Sequence, residues 1–201
     1  MKTEEIRKVW VMQNRDVQSE VRLWDSQAED PTYHQMPTFE NNEFLKLLEK
    51  EGMIDKSYDV LDVGCGVGVY SIALSARVRS VTGLDISPKM LDYGRKIIEE
   101  SGIGNVRLEM EDWNTTDIEK KGMREHYALV FAHNTPAICS MDTFEKLIDA
   151  SRRFCVVCSP IRMVEPIMQK VQEMAKVGLE GTSCENNFSY MLDILLCKGY
   201  T

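Results

Sequence analysis

Residues 58–87 read YDVLDVGCGVGVYSIALSARVRSVTGLDIS, and the succession of textures in them decides the fold. YDVLDVG is short, apolar around its carboxylates and closed by glycine, which predicts a strand. Gly64, Gly66 and Gly68 follow at alternate positions. Glycines so spaced permit positive φ and a close backbone approach to a ligand at the mouth of the next helix. VYSIALSARV predicts that helix, and RSVTGLDI a second strand ending at Asp85. Asp85 stands 85 − 64 = 21 residues after Gly64, a distance at which an acid can accept hydrogen bonds from a ribose diol.

Working outward, the alternation continues. Ser87 caps the helix PKMLDYGRKIIEESG, with Pro88 in its first turn, where a missing N–H costs nothing. NVRLEMED predicts a third strand, YALVFAH a fourth, MDTFEKLIDASR a helix and RFCVVCSP a fifth strand, before helices through EPIMQKVQEMAKVG and FSYMLDILLCKG. On the other side, Asn41 or Asn42 caps a helix through EFLKLLEKEG that ends at Gly52. WDSQAEDPTYHQMPTFEN reads as a loop or lid, and residues 1–24 as one helix carrying Ile6, Val9, Trp10, Val17, Val21 and Trp24 at helical spacing. Strands alternating with helices predict a three-layer α/β/α sandwich with a mostly parallel, doubly wound sheet. Such sheets bind ligands beyond the carboxyl ends of their strands, here strands one to four.

Composition narrows the function. The 201 residues carry 24 Lys plus Arg against 32 Asp plus Glu, a net charge of −8, which argues against a general phosphate-backbone binder. A hydrophobic share of 43% and a charged share of 28% exclude bulk disorder. No apolar run approaches the roughly 20 residues of a bilayer span, and MKTEEIRK has no signal-peptide texture, so a cytoplasmic protein with no membrane partner is expected. Of six cysteines, Cys155 and Cys158 form a CxxC string, but they fall on a strand, where residues three apart face opposite ways. The expected role is structural, and no metal site is expected.

The strand ends point to a nucleoside: a tight turn, a ribose acceptor at Asp85, then the carboxylate and aromatic face of Glu111-Asp112-Trp113. The nicotinamide fingerprint would need glycine at position 69, where Val69 stands. Asp62, two residues before the first glycine, suits a ligand carrying an ammonium group. VLDVGCGVGVYSIALSARVRSVTGLDIS resembles the first two motifs of the Rossmann-like, class I S-adenosylmethionine-dependent methyltransferases. The resemblance covers roughly residues 40–160, and the lid WDSQAEDPTY resembles the variable N-terminal cap of many small-molecule members.

The resemblance implies S-adenosylmethionine as cofactor and S-adenosylhomocysteine as product. It implies that Gly64, Cys65 and Gly66 line the methionine part and that Asp85 holds both ribose hydroxyls. Ile86 and Met90 would pack near adenine, Asp112 would accept its amino group, and Trp113 would lie beside it. Ala132, His133 and Asn134 would face the sulfonium and the substrate, with Tyr33 closing the pocket from the lid. Residues 1–42 then form the N-terminal helix and lid, and 43–201 the cofactor-binding domain. Where the nucleophile must lose a proton, the candidate bases are His133 and His34, with Tyr33 orienting. His126 lies in the polar REHY stretch. Asn134-Thr135-Pro136-Ala137 departs from the Asn-Pro-Pro-aromatic motif of base-modifying amino methyltransferases at Thr135 and Ala137. A small-molecule acceptor is therefore expected ahead of RNA or protein, or of a cofactor-binding module without turnover. Relatives of this fold carry seven strands and only five are counted here. The expectation is a chain cut short of its last strands, whose exposed sheet edge would pair with a second copy or be covered by the N-terminal helix.

Overall fold

The computed structural model describes residues 3–12, 14–160 and 185–200. Five strands, β1 (Asp59–Val63), β2 (Ser80–Asp85), β3 (Val106–Met110), β4 (Tyr127–His133) and β5 (Ser151–Cys158), form one parallel sheet in the order β3-β2-β1-β4-β5. The order reverses between β1 and β4, which opens a crevice at their carboxyl ends. Every residue of β1 is buried, and so is β4 up to His133, whereas β3 at the edge alternates. This matches central strands covered on both faces.

Successive side chains of β1 and β4 go to opposite layers. Leu61, Val63, Val130 and Ala132 pack with α1 (Thr3–Val9), α6 (Met141–Ala150) and α7 (Glu185–Cys197). Val60, Leu129 and Phe131 pack on the other face, under α3 (Glu43–Lys50), α4 (Val69–Ser75) and α5 (Pro88–Glu100). The caps at Asn42 and Ser87 form as expected, each side-chain oxygen accepting from the backbone N–H three residues on. Cys155 and Cys158 stand on opposite faces of β5, and the described cysteines are free.

Two expectations change. The single N-terminal helix is two: α1 stops at Val9, and α2 (Val17–Gln27) begins behind Asp16, whose carboxylate accepts from Ser19 N. Asn14 has positive φ, and Trp10 turns into the core against Phe144 and Tyr190, so the chain leaves the helical path there. The helix expected to reach Arg152 ends at Ala150, because Ser151 is extended and pairs with Tyr127 as the start of β5. The N-terminal helix covers α6 and α7, where Arg7 pairs with Asp142 and Glu145. The helix expected through residues 165–178 lies outside the described residues. Within the described part of the C-terminal segment, residues 185–197 are helix. No helix among the described residues is long and apolar enough to cross a membrane.

Candidate active site

A cavity of about 770 Å³ opens at the carboxyl ends of β1 to β4, in the upper part of the range for small-molecule sites. Its floor is the turn after β1. Gly64 N and Cys65 N both donate to Leu84 O (2.8 and 3.0 Å), which folds the turn across to β2. Gly64 needs its glycine twice over: φ is +72°, and a Cβ there would sit 1.9 Å from Thr135 Oγ1. Gly66 has φ +56° with open space on that side, and its N–H donates to Asp85 Oδ2 at 2.8 Å. Ser87 N donates to the other oxygen at 2.9 Å. Burial nevertheless raises the Asp85 carboxyl above its ordinary value, against the pull of those backbone donors.

Asp62 and Ala132 do not line the cavity. Asp62 is 3% exposed and lies beneath the turn, not on the cavity wall; Ser71 Oγ donates to it at 2.7 Å. Burial pushes this carboxyl up to about 7, with the charge of Asp85 adding to the rise. An ammonium group cannot reach it directly. Ala132 is 1% exposed and faces the α1–α6–α7 core, because alternation along β4 sends its side chain away from the cavity.

At the β2 and β3 ends, Ile86, Met90, Asp112 and Trp113 all border the cavity. Asp112 is engaged by the chain itself: Arg15 Nη1 donates to Oδ2 at 2.5 Å and Asn114 N to Oδ1 at 3.0 Å. Arg15 also grips Glu20 through Nε and Nη2; burial works against the charged guanidinium, but these anionic partners outweigh it and hold its pKa above the ordinary arginine value. Trp113 is 2% exposed and its Nε1 donates to Thr143 O, so its ring is mostly committed to the core.

At the β4 end, the His133 imidazole packs against Phe44 (centroids 4.7 Å apart) and Tyr70 (4.3 Å), which also touch each other (5.4 Å), and it faces the cavity. Burial lowers its pKa below the usual 6.5, which favours the neutral ring. Asn134 follows with positive φ, a conformation asparagine tolerates, and also borders the cavity. Tyr33, on a one-turn helix (Pro31–His34), reaches the cavity edge-on to Trp24 of α2. His34 does not line it: its Nε2 is 2.7 Å from Ala28 O. His126 is exposed.

Several wall residues escaped the sequence reading. Arg15 and Glu20 come from a segment read as uniform helix. Asp25 of α2 accepts from Ser87 Oγ and Lys89 N at the start of α5, docking the lid where a helix N-terminus favours a carboxylate. Tyr70 and Asn42 were read only as helix and cap. The string Asn14-Arg15-Asp16, with its helix-cap chemistry, was a signal for the break that delivers Arg15. Among the described residues no cluster of three or more His, Cys, Asp or Glu could hold a metal ion.

Residues 54–191 match the family model described as "Methyltransferase domain". An uncharacterised RNA methyltransferase of Listeria monocytogenes is 26% identical over 132 residues, 64% of this chain and 28% of that protein. A ubiquinone biosynthesis O-methyltransferase of Nitrosomonas europaea is 35% identical over 79 residues, 39% of this chain and 32% of that protein. The chain thus spans about a third or less of the length of these curated relatives. A solved S-adenosylmethionine-dependent methyltransferase from Aquifex aeolicus shares the fold, with TM-score 0.51 and 19% identity over 81% of this chain and 87% of that one.

Proposed function

Since the chain belongs to the class I S-adenosylmethionine-dependent methyltransferases, we propose that it binds S-adenosylmethionine in the cavity beyond β1 to β4 and methylates a small molecule there. The observation that carries the reading is the turn of residues 64–68 folded onto Asp85. The fit is favourable on its own terms. Beside Gly66 there is free space that a Cβ would fill, the Asp85 carboxylate lies next to it, and the same cavity is lined by Ile86, Met90 and Asp112.

In this reading the Gly64–Cys65–Gly66 backbone lies along the methionine part and Asp85 accepts from the ribose hydroxyls, a charge-assisted contact. Ile86 and Met90 pack against the adenine. Asp112, steadied by Arg15 and Asn114, accepts the adenine amino group on remaining lone-pair capacity, with Trp113 contributing only its edge. Bound there, the cofactor supplies an electrophilic methyl whose displacement by an in-line nucleophile releases a neutral thioether. The chain's contribution is to hold nucleophile and methyl close and aligned, and to accept a proton at the His133 ring where the nucleophile carries one. Asn134 and Tyr33 bound the space in which the two meet.

A small acceptor is favoured over RNA or protein by the roof. Leu23 and Trp24 of α2, with Tyr33, Met36 and Pro37, overhang the cavity, and the chain carries net charge −8. The test is to incubate the protein with methyl-labelled S-adenosylmethionine and a whole-cell extract split into small molecules, RNA and protein. Label is expected in the small molecules; label confined to RNA or protein would overturn the acceptor reading.

A further inference from the structure

The cavity is divided by charge. Among the described residues its four carboxylates, Glu20, Asp85, Glu111 and Asp112, and its one guanidinium, Arg15, belong to the α2, β2 and β3 side. The wall contributed by residues 32–42, the start of α4 and the end of β4 contains no Asp, Glu, Lys or Arg. What it offers is ring faces and neutral polar groups. His133 touches the rings of Tyr70 and Phe44 in tilted contacts, with Met36, Pro37 and Val69 nearby on the same wall.

One hydroxyl in this corner is oriented. The Asn42 carboxamide is used at both ends: Oδ1 accepts from Leu45 N at 3.0 Å as the cap of α3, which fixes the amide, and Nδ2 donates to Tyr70 Oη at 3.2 Å. With that donor occupying the phenolic oxygen, the Tyr70 O–H is left to donate, and it has no acceptor among the described residues. The corner thus pairs a directed donor, Tyr70, with a ring nitrogen acceptor, His133, the two rings in contact at 4.3 Å between centroids and tilted by 43°.

We propose that this corner is the acceptor subsite and that it takes an uncharged aromatic molecule bearing a hydroxyl group, a phenol, whose ring lies against the aromatic wall. The phenol oxygen accepts from Tyr70 and its O–H donates to His133. Tyr70 is therefore a specificity-determining residue. This rests on the reading that the cofactor occupies the carboxylate-bearing side. In the transfer, the phenol oxygen forms a bond to the methyl carbon as the sulfur–methyl bond breaks, its electron pair staying on sulfur. The phenolic proton passes to His133 and from there to solvent. An anionic or cationic acceptor group would lose water here with no oppositely charged side chain on this wall to compensate it, which is costly.

The chain has three histidines, His34, His126 and His133, so 13C-histidine NMR gives a direct readout, with the spectrum of His133→Asn identifying the reporter. The protein saturated with S-adenosylhomocysteine is titrated with three probes sharing one ring system: 2-naphthol, 2-naphthoate and 2-naphthylmethylammonium. The expected result is that 2-naphthol shifts the His133 signal at a concentration about tenfold or more below either charged probe, and that Tyr70→Phe, which keeps the ring against His133, weakens this about tenfold. Equal or better binding of a charged probe, no response to any probe, or an unaffected Tyr70→Phe variant overturns the proposal. If S-adenosylhomocysteine itself fails to bind, the cofactor reading falls instead, and the same titration on the free protein still decides the character of the corner.

Discussion

Asp85 receives N–H donors from Gly66 and Ser87 while sitting largely out of water, so its charge is held in place for a ligand rather than solvated. Replacing it with alanine is expected to weaken S-adenosylhomocysteine binding about tenfold or more, the loss of one or two charge-assisted bonds of about 1.5–3 kcal/mol each. Calorimetry on a variant shown by its melting curve to be folded reads this, and unchanged affinity would refute the ribose role. The two glycines of the turn separate structure from binding. Gly64→Ala forces a Cβ onto Thr135, whose Oγ1 is already tied to Ala137 N, and is expected to cost about 1–3 kcal/mol of stability. Gly66→Ala meets no protein atom within 4 Å; it is expected to lose only about 1–2 kcal/mol for its positive φ while blocking the cofactor. Equal melting temperatures paired with equal affinities would contradict the division. Asp62 gives a pH signature. Its folded-state pKa, about 7, stands above the ordinary aspartate value of 3.8, so the folded protein keeps a proton that the unfolded chain has released. Stability from this group is full below about pH 3.8 and drains away as pH rises to about 7. Asp62→Asn, which keeps an acceptor for Ser71, is expected to match the wild type at acid pH and exceed it above pH 7 in chemical denaturation. Asp85, shifted the same way, titrates in both proteins.

At the scale of elements, the connection from α1 to α2 carries the least expected feature. It brings Arg15 over the cavity to Asp112 and Glu20, an ion-pair network whose side chains are 14%, 17% and 27% exposed. The roof is thereby tied to the end of β3. Arg15→Gln is expected to raise both the association and the dissociation rate of S-adenosylhomocysteine about fivefold, the equivalent of about 1 kcal/mol. Stopped-flow fluorescence from Trp24, which borders the cavity, follows the exchange. A change in dissociation alone would make Arg15 a direct ligand contact instead of a latch. The sequence could be read for α3 and α5 because their caps, Asn42 and Ser87, use short-range chemistry. It misled over residues 1–24 because apolar spacing alone cannot show that Trp10 leaves the helix to meet Phe144 and Tyr190, which lie far along the chain.

At the scale of the molecule, the alternation of strand and helix and the glycine turn made the sheet and the location of the cavity legible, since both follow from local periodicity and right-handed crossovers. Which side of each strand faces the cavity was less legible. Ala132 and Asp62 sit at strand positions whose orientation depends on the whole sandwich, while Tyr70 and Arg15 reach the wall from helices and a turn with no motif of their own. The central claim is that this cavity binds S-adenosylmethionine. Its most direct measurement is calorimetric titration of the protein with S-adenosylmethionine, S-adenosylhomocysteine and NAD in turn. Binding of the first two and none of the third is the result expected; binding of NAD alone, or of none of the three, would contradict the account.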